Sequence, residues 1–282
     1  ARKGSFAQLH PVEYGAQTLL GVLARVPQLR PEDIGDVIMG CAMPFGVQGG
    51  NMARLIVQRA GLPDCVTAQT VNRYCSSGLQ TIATAANAIR CGEEDVVIAG
   101  GVESMSLVPM LVGAEDADPW LAEHRPEVYT TMGITAENVA RQWGISRADM
   151  DAMAVESHRR AAQAQAGGCF DGQIIPITVP GPDGGEVVVC RDEGIRPGTT
   201  AETLAGLKPC FLENGSVTAA TSSQMTDGAG FVVLMSEEKA AELGVKPLAR
   251  FVSFATGGVP AEVMGVGPIE AVPKALRKAG LT

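Results

Sequence analysis

The stretch that decides the fold of this 282-residue chain is Val71-Asn72-Arg73-Tyr74-Cys75-Ser76-Ser77-Gly78-Leu79-Gln80. A short apolar run typical of a β-strand, residues 66–71, leads into it, and an alanine-rich segment that favours a helix, residues 77–90, follows. Cys75 is therefore predicted to lie at the turn between a strand and a helix N-terminus. Two interpretations stay open for it: a nucleophile, or a buried structural thiol, which is the common use of free cysteine.

The predicted position suits a sulfur nucleophile. The unpaired N–H groups and the dipole of a helix N-terminus favour an anion, so a thiolate would be stabilised there. The small residues Ser76, Ser77 and Gly78 would let a substrate approach the backbone closely. Covalent acyl transfer needs a nucleophile in such a place.

Composition limits the classes of partner and compartment. The net charge of -9 argues against nucleic acid as a partner. Seven cysteines occur without a Cys-x-x-Cys pair or a Cys/His cluster of metal-ligand spacing, which predicts no metal site and a reducing, cytoplasmic location. No apolar run is long enough for a membrane span, and the N-terminus lacks the apolar core of a secretory signal.

Strand patterns alternate with helix patterns along the chain, which predicts an α/β fold with a mostly parallel sheet covered on both faces. Strands are predicted at residues 36–39, 66–71, 96–99, 230–235 and 248–254, and helices at 12–25, 51–60, 77–90, 136–143, 147–165, from 236, and 269–278. From residue 107 to 226 polar residues, Pro and Gly become frequent, which indicates an inserted α+β domain. Within it we predict an exposed loop at 115–126 and a hairpin of strands 174–179 and 186–189.

Three further segments, taken with the Cys75 turn, resemble the thiolase family of acetyl-CoA acetyltransferases and 3-ketoacyl-CoA thiolases. They are Gly-Gly-Val-Glu-Ser-Met-Ser at 100–106, Asn-Gly-Ser-Val-Thr-Ala-Ala at 214–220, and Asp-Gly-Ala at 227–229. The resemblance is collinear over nearly the whole chain. It implies an αβαβα layered fold with a mostly parallel mixed sheet and an inserted loop domain. The implied domains are 1–106 and 227–247 for the N-terminal half, 107–226 for the CoA-covering insertion, and 248–282 for the start of the C-terminal half.

The resemblance also implies an activity. It is thiolytic cleavage of a 3-ketoacyl-CoA, or the reverse Claisen condensation of acetyl-CoA, through an acyl group carried on Cys75. Coenzyme A would be a substrate, with no permanently bound cofactor. Positions that match the family's CoA and acyl contacts are Arg196 and Thr203 near the nucleotide, Cys210, Phe211, Ala219 and Ser223 along the pantetheine arm, and Met132 and Met264 at the acyl pocket. A homodimer or homotetramer is implied, with contacts through residues 49–54 and the strand before Cys75.

The chain departs from the family pattern in one respect. Family segments Asn-Glu-Ala-Phe, Gly-His-Pro and Cys-x-Gly, which carry further catalytic groups, are absent from these 282 residues. His10, His124 and His158 are predicted to be solvated or capping residues rather than bases, so we expect the 282 residues alone to have no turnover. Where this chain has Thr131, short-chain biosynthetic members of the family have the histidine of a His-Met-Gly segment. This difference, together with the compact region 107–129, favours a degradative thiolase.

Two other functions remain as alternatives. A condensing enzyme of the ketoacyl-synthase type would share the fold and a cysteine nucleophile. A non-catalytic thiolase-like protein that binds acyl-CoA or lipid would share the fold alone. Product analysis with acetoacetyl-CoA and CoA separates a thiolase from both.

Overall fold

The computed structural model describes residues 4–108, 110 and 116–282. The strands are β1 (Asp36–Gly40), β2 (Thr67–Val71), β3 (Val96–Ser104), β4 (Ile177–Pro180), β5 (Glu186–Val189) and β6 (Asp227–Met235). The helices are α1 (Pro11–Leu23), α2 (Met52–Arg59), α3 (Ser77–Arg90), α4 (Pro119–His124), α5 (Met132–Trp143), α6 (Arg147–Ala166), α7 (Ala201–Ala205), α8 (Glu237–Leu243) and α9 (Gly267–Ala279).

The chain divides into two compact units. Unit 1 consists of Ala1–Met110, Gln173–Glu193 and Met225–Phe251, and unit 2 of Leu111–Gly172, Gly194–Gln224 and Val252–Thr282. The hairpin β4–β5 thus groups with the sheet of unit 1, although the predicted insertion at 107–226 would include it. The predicted domain boundaries themselves stay a prediction.

Unit 1 is built on a four-stranded sheet of order β2-β1-β3-β6. The strands β2, β1 and β3 are parallel, with Gly40 opposite Val71 and Gly101, and β6 runs antiparallel to β3. This confirms a mostly parallel mixed sheet. Strand β3 extends five residues beyond the predicted 96–99, through the double glycine to Ser104.

Both faces of the sheet are covered by helices, as predicted. Side chains of α1 and α2, among them Tyr14, Leu19 and Ile56, form a core with Met39 and Ile98. Helix α3 packs on the opposite face, where a smaller cluster holds Ile38, Ala85, Val97 and Ala99. Because successive side chains of a strand point to opposite faces of the sheet, Ile38 and Met39 belong to different clusters.

Unit 2 is largely helical. Helix α5 ends at Gly144, whose φ of 64° is the left-handed conformation that glycine adopts readily. Helix α6 begins with a capping box, in which Ser146 and Asp149 bond reciprocally. Helix α9 has Pro268 in its first turn and ends at Gly280, with φ of 70°.

Two predictions of local structure are wrong. Residues 248–254 form no strand, because they pair with no other strand in the described parts of the chain. Within the predicted loop 115–126, Pro119–His124 is a helix, because Asp118 accepts a bond from Leu121 N–H and Pro119 suits the first turn. The first residue of this predicted loop, residue 115, lies outside the described residues. The same is true of residues 109 and 111–114 in the compact region 107–129.

Candidate active site

Cys75 lies between the end of β2 at Val71 and the start of α3 at Ser77, as the sequence predicts. Its thiol is exposed, so the interpretation of Cys75 as a buried structural thiol is wrong. Cys41 is the buried cysteine of this region, and burial, with the negative charge of Glu103, raises the pKa of its thiol to about 12. Cys41 therefore remains protonated at neutral pH. Cys75 is exposed, and its role as the nucleophile stays a prediction.

The turn before Cys75 has an unusual backbone. Tyr74 has a φ of 46°, and no other residue except glycine has a positive φ in the described part of the chain. A side chain in this conformation raises the energy by roughly 1–2 kcal/mol, so the surroundings must hold it. The buried Ser77 contributes: its Oγ donates to the Tyr74 carbonyl at 2.6 Å and accepts from Arg73 N–H at 2.8 Å.

Glycines beneath the turn allow α3 to begin directly on the sheet. A Cβ atom on Gly40 of β1 would lie 2.6 Å from Ser77 Cβ and 2.8 Å from the Ser77 carbonyl carbon. Neither distance is tolerated between carbon atoms, so Gly40 permits the first turn of α3 to sit where it does. One turn further along, Thr81 Oγ1 lies 2.7 Å from the Gly78 carbonyl and 3.0 Å from the Gly100 carbonyl, so its single proton is shared between the two and links α3 to β3.

The segment Gly-Gly-Val-Glu-Ser-Met-Ser supplies carboxylate contacts at the end of β3. Glu103 accepts from Ala42 N–H and from Gln48 Nε2, each at 2.7 Å. The buried Asp227, at the start of β6, accepts from Ser106 N–H at 2.8 Å and Ser106 Oγ at 2.7 Å. Sequence analysis identified the segment by resemblance but not these roles, because the partners lie far apart in the chain.

The eight predicted CoA and acyl contacts all belong to unit 2, whereas Cys75 belongs to unit 1. The ring of Phe211 lies against Gly133, the residue after Met132, so these two positions are neighbours. Cys210 N–H donates to the Val217 carbonyl at 3.0 Å, which places Cys210 beside the strand-like segment that leads to Ala219. The segment 261–266, which holds Met264, packs on α5.

Arg196, Thr203 and Ser223 lie in other parts of unit 2. Arg196 N–H donates to His158 Nδ1 at 3.3 Å, while Thr203 completes a capping box with Thr200 at the start of α7. Ser223 is exposed. These observations show the local setting of each residue and leave its contact with CoA as a prediction.

Each of the three histidines contacts a backbone group through Nδ1, and His10 is the one that caps a helix. His10 Nδ1 accepts from Val12 N–H at the start of α1, and His158 Nδ1 accepts from the backbone of Arg196. His124 stacks on Trp120 with ring centroids 4.7 Å apart, and its Nδ1 lies 2.9 Å from the Trp120 carbonyl.

A buried carboxylate that sequence analysis missed organises the segment 214–220. Glu137 of α5 accepts from Ser216 N–H at 2.9 Å, from Ser216 Oγ at 3.0 Å and from Val217 N–H at 2.8 Å. Burial would raise the pKa of Glu137, but the hydrogen bonds from Ser216 and Val217 outweigh it and lower the pKa below its usual value. The Glu137 side chain is thus a charged anchor for the loop that carries Ala219.

Two kinds of site are absent from the described residues. None of their helices has the length and apolar character needed to cross a membrane. Across the same ranges, no three His, Cys, Asp or Glu side chains come close enough together to share a metal ion.

A mixed α/β sheet that carries an exposed cysteine at a strand–helix turn fits an acyltransferase with a cysteine nucleophile. Comparison with known proteins gives the family: residues 1–238 match the thiolase N-terminal domain. The chain is 51% identical over 289 residues to a 3-ketoacyl-CoA thiolase of Bacillus subtilis, covering 100% of this chain and 74% of that protein. It is 44% identical to an acetyl-CoA acetyltransferase of Allochromatium vinosum, over 99% of this chain and 73% of that protein.

A solved structure agrees with these relatives. The crystal structure of the Bacillus anthracis acetyl-CoA acetyltransferase is similar with a TM-score of 0.89 and 40% identity, over 99% of this chain and 73% of that chain. The chain belongs to the thiolase family. The structural similarity also confirms the predicted thiolase-like fold class.

Proposed function

We propose that this acyl-CoA acyltransferase carries its acyl group on Cys75 and cleaves 3-ketoacyl-CoA by thiolysis. The observation that carries the proposal is the exposed thiol of Cys75 at the strained turn before α3. A helix N-terminus stabilises a thiolate, and the small residues around the turn leave room for a thioester. The names of the relatives, acetyl-CoA acetyltransferase and 3-ketoacyl-CoA thiolase, support the same chemistry.

The proposed reaction has two steps. The Cys75 thiolate attacks the ketone carbon of the 3-ketoacyl-CoA, and the bond between that carbon and the neighbouring methylene carbon breaks. The electron pair leaves on the acetyl-CoA enolate, which takes a proton to give acetyl-CoA. The thiolate of a second CoA then attacks the acyl-Cys75 thioester, releasing the shortened acyl-CoA and regenerating Cys75. The backbone N–H of Cys75 is the proposed donor to the developing oxyanion.

We propose that CoA binds to unit 2 as a substrate and that no cofactor is held permanently. Phe211, Cys210 and Ala219 would contact the pantetheine arm, supported by the packing of Phe211 on Gly133 next to Met132. Arg196 would meet the phosphates near the nucleotide, since guanidinium binds phosphate well. Thr203 and Ser223 would lie along the same ligand, and Met132 and Met264 would line the acyl pocket.

We also propose a degradative direction, a cytoplasmic location and a homodimer or homotetramer. The location is supported by the seven cysteines, all of which are free thiols in the structure. The oligomer is supported by the position of β2 at the edge of the sheet, because an edge strand presents unpaired backbone groups to a partner.

The proposal is tested by acylation of the full protein. After incubation with acetyl-CoA, mass spectrometry is expected to find an acetyl group on the peptide that contains Cys75. Cys75→Ser is expected to lower turnover of acetoacetyl-CoA with CoA by several orders of magnitude, because a serine hydroxyl is far less ionised than a thiol. Cys91→Ser, which changes another exposed thiol just after α3, is the matched control and is expected to be active.

Two results would contradict the proposal. An acetyl group found on Cys65 or Cys91 in place of Cys75 would show that another cysteine is the nucleophile. Tight binding of acetoacetyl-CoA without product would favour the non-catalytic alternative.

A further inference from the structure

The strained turn at Tyr74 is linked by hydrogen bonds to the end of β3. Asn72 Oδ1 accepts from Tyr74 N–H at 2.7 Å, an interaction of the kind by which asparagine stabilises turns. The same side chain donates from Nδ2 to the Ala42 carbonyl at 3.0 Å. Asn72 thereby ties the residue before Cys75 to the segment that follows β1.

Ala42 is in turn held by a carboxylate. Its N–H donates to Glu103 Oε2 at 2.7 Å, and Gln48 Nε2 donates to Glu103 Oε1 at 2.7 Å. Gln48 is fully buried and cannot rotate its amide, because Nε2 also donates to the Met43 carbonyl and Oε1 accepts from Ser104 N–H. Both oxygens of Glu103 therefore face donors of fixed direction.

We propose that Asn72 and Glu103 are positioning residues for the acylation of Cys75, acting through the relay from Glu103 to Ala42, Asn72 and the Tyr74 peptide. The inference rests on the proposed role of Cys75. The relay lies wholly within unit 1 and joins three chain segments, after β1, after β2 and at the end of β3. Its effect is to hold a backbone conformation that a tyrosine would not adopt alone, and with it the direction of the thiol.

The chemistry of the two side chains suggests substitutions that cut the relay at known links. Asn72→Asp keeps the acceptor for Tyr74 N–H but replaces the donor to the Ala42 carbonyl by a second acceptor. Glu103→Gln sets an amide NH₂ against either Ala42 N–H or Gln48 Nε2, so one donor faces another. Asn72→Ala removes both bonds. The matched controls are Asn87→Ala and Glu93→Gln, which change exposed residues on α3 and just after it.

The test measures the rate of acetylation of Cys75 by acetyl-CoA in the full protein, by rapid quench and mass spectrometry, over a range of acetyl-CoA concentrations. We expect Asn72→Asp and Glu103→Gln to lower the saturating rate about tenfold to a hundredfold, because small misplacement of a reacting group has effects of this size. The half-saturating acetyl-CoA concentration is expected to change less than twofold. Asn72→Ala is expected to be slower still, and both controls are expected to match the wild type.

The double variant distinguishes a relay from two separate structural effects. If both residues act through the same relay of hydrogen bonds, the double variant Asn72→Asp/Glu103→Gln has a saturating acetylation rate no lower than that of the slower single variant. Saturating rates equal to the wild type in the single variants, or rate losses that multiply in the double variant, would overturn the inference. If the wild type itself is acetylated at another cysteine, the proposed function fails instead, so the two failures are distinguishable.

Discussion

The anchor formed by Glu137 leads to a prediction whose magnitude follows from its contacts. Glu137→Gln keeps the shape of the side chain and can keep its carbonyl oxygen toward Ser216 N–H and Val217 N–H. The amide NH₂ then meets Ser216 Oγ, which can rotate to accept. The substitution removes the negative charge of the acceptor in the hydrogen bonds from Ser216 N–H and Val217 N–H. Each such bond contributes about 1.5–3 kcal/mol with a charged acceptor and about 0.5–1.5 kcal/mol with a neutral one.

The expected loss is therefore about 2 kcal/mol in the free energy of unfolding. Glu137→Ala leaves both N–H groups without an acceptor in a buried site, so its loss is expected to be larger, about 4 kcal/mol. Urea unfolding followed by fluorescence measures both, since Trp143 lies at the end of the same helix α5. Glu213→Gln, an exposed change in the neighbouring segment, is the control.

The pH dependence gives a second and independent readout. Because the folded pKa of Glu137 is lowered from 4.5, its carboxylate stabilises the fold above that pH, and the contribution is lost as pH falls through the folded pKa. Glutamine does not titrate, so the stability difference between wild type and Glu137→Gln is expected to narrow below about pH 4.5. A difference that is constant down to pH 3, or a Glu137→Gln stability equal to that of Glu213→Gln, would refute the reasoning.

Three further predictions concern other contacts. Gly40→Ala is expected to lower Tm and slow acetylation of Cys75, because its Cβ would displace Ser77, whereas Gly206→Ala, with open space around it, should be neutral in both assays. Thr81→Val should lower the free energy of unfolding by about 1 kcal/mol, because the hydrogen bond that the hydroxyl shares between the Gly78 and Gly100 carbonyls is lost, and Thr81→Ser should recover part of this in urea unfolding. Arg196→Ala should raise KM for acyl-CoA in steady-state kinetics, less so at high salt; an equal KM at low salt would contradict a phosphate contact.

Much of unit 1 could be predicted because its signals are local. The predicted helix 77–90 has the observed bounds of α3, and the first three strands lie where apolar runs indicated them. The position of Cys75 at the turn followed from the same pattern. By contrast, the predicted strand 248–254 required a partner that the pattern could not supply, and the helix at Pro119 was missed although Asp118-Pro119 is a recognisable start signal.

The site beyond Cys75 depended on contacts that sequence periodicity does not encode. Glu103 meets Ala42 at a separation of 61 positions, and Glu137 meets Ser216 at a separation of 79. A carboxylate that accepts backbone N–H groups has no fixed spacing to its partners, so only the folded chain shows it. The CoA positions were predicted by family resemblance alone, and their local settings are what the structure adds.

The antiparallel pairing of β3 with β6 has a consequence for how this protein can change. Ser104 and Asp227 stand opposite each other at a separation of 123 positions, so the two strands are the arms of a hairpin whose turn has grown into more than a hundred residues. Closing such a loop depends only weakly on its length, which means that insertions and deletions in it disturb the hairpin little. The stretches Leu111–Gly172 and Gly194–Gln224 leave unit 1 and return to it, while β4–β5 between them stays in its core. Evolution, or a chimera made in the laboratory, can therefore replace these two stretches and leave the Cys75 turn on an unchanged base.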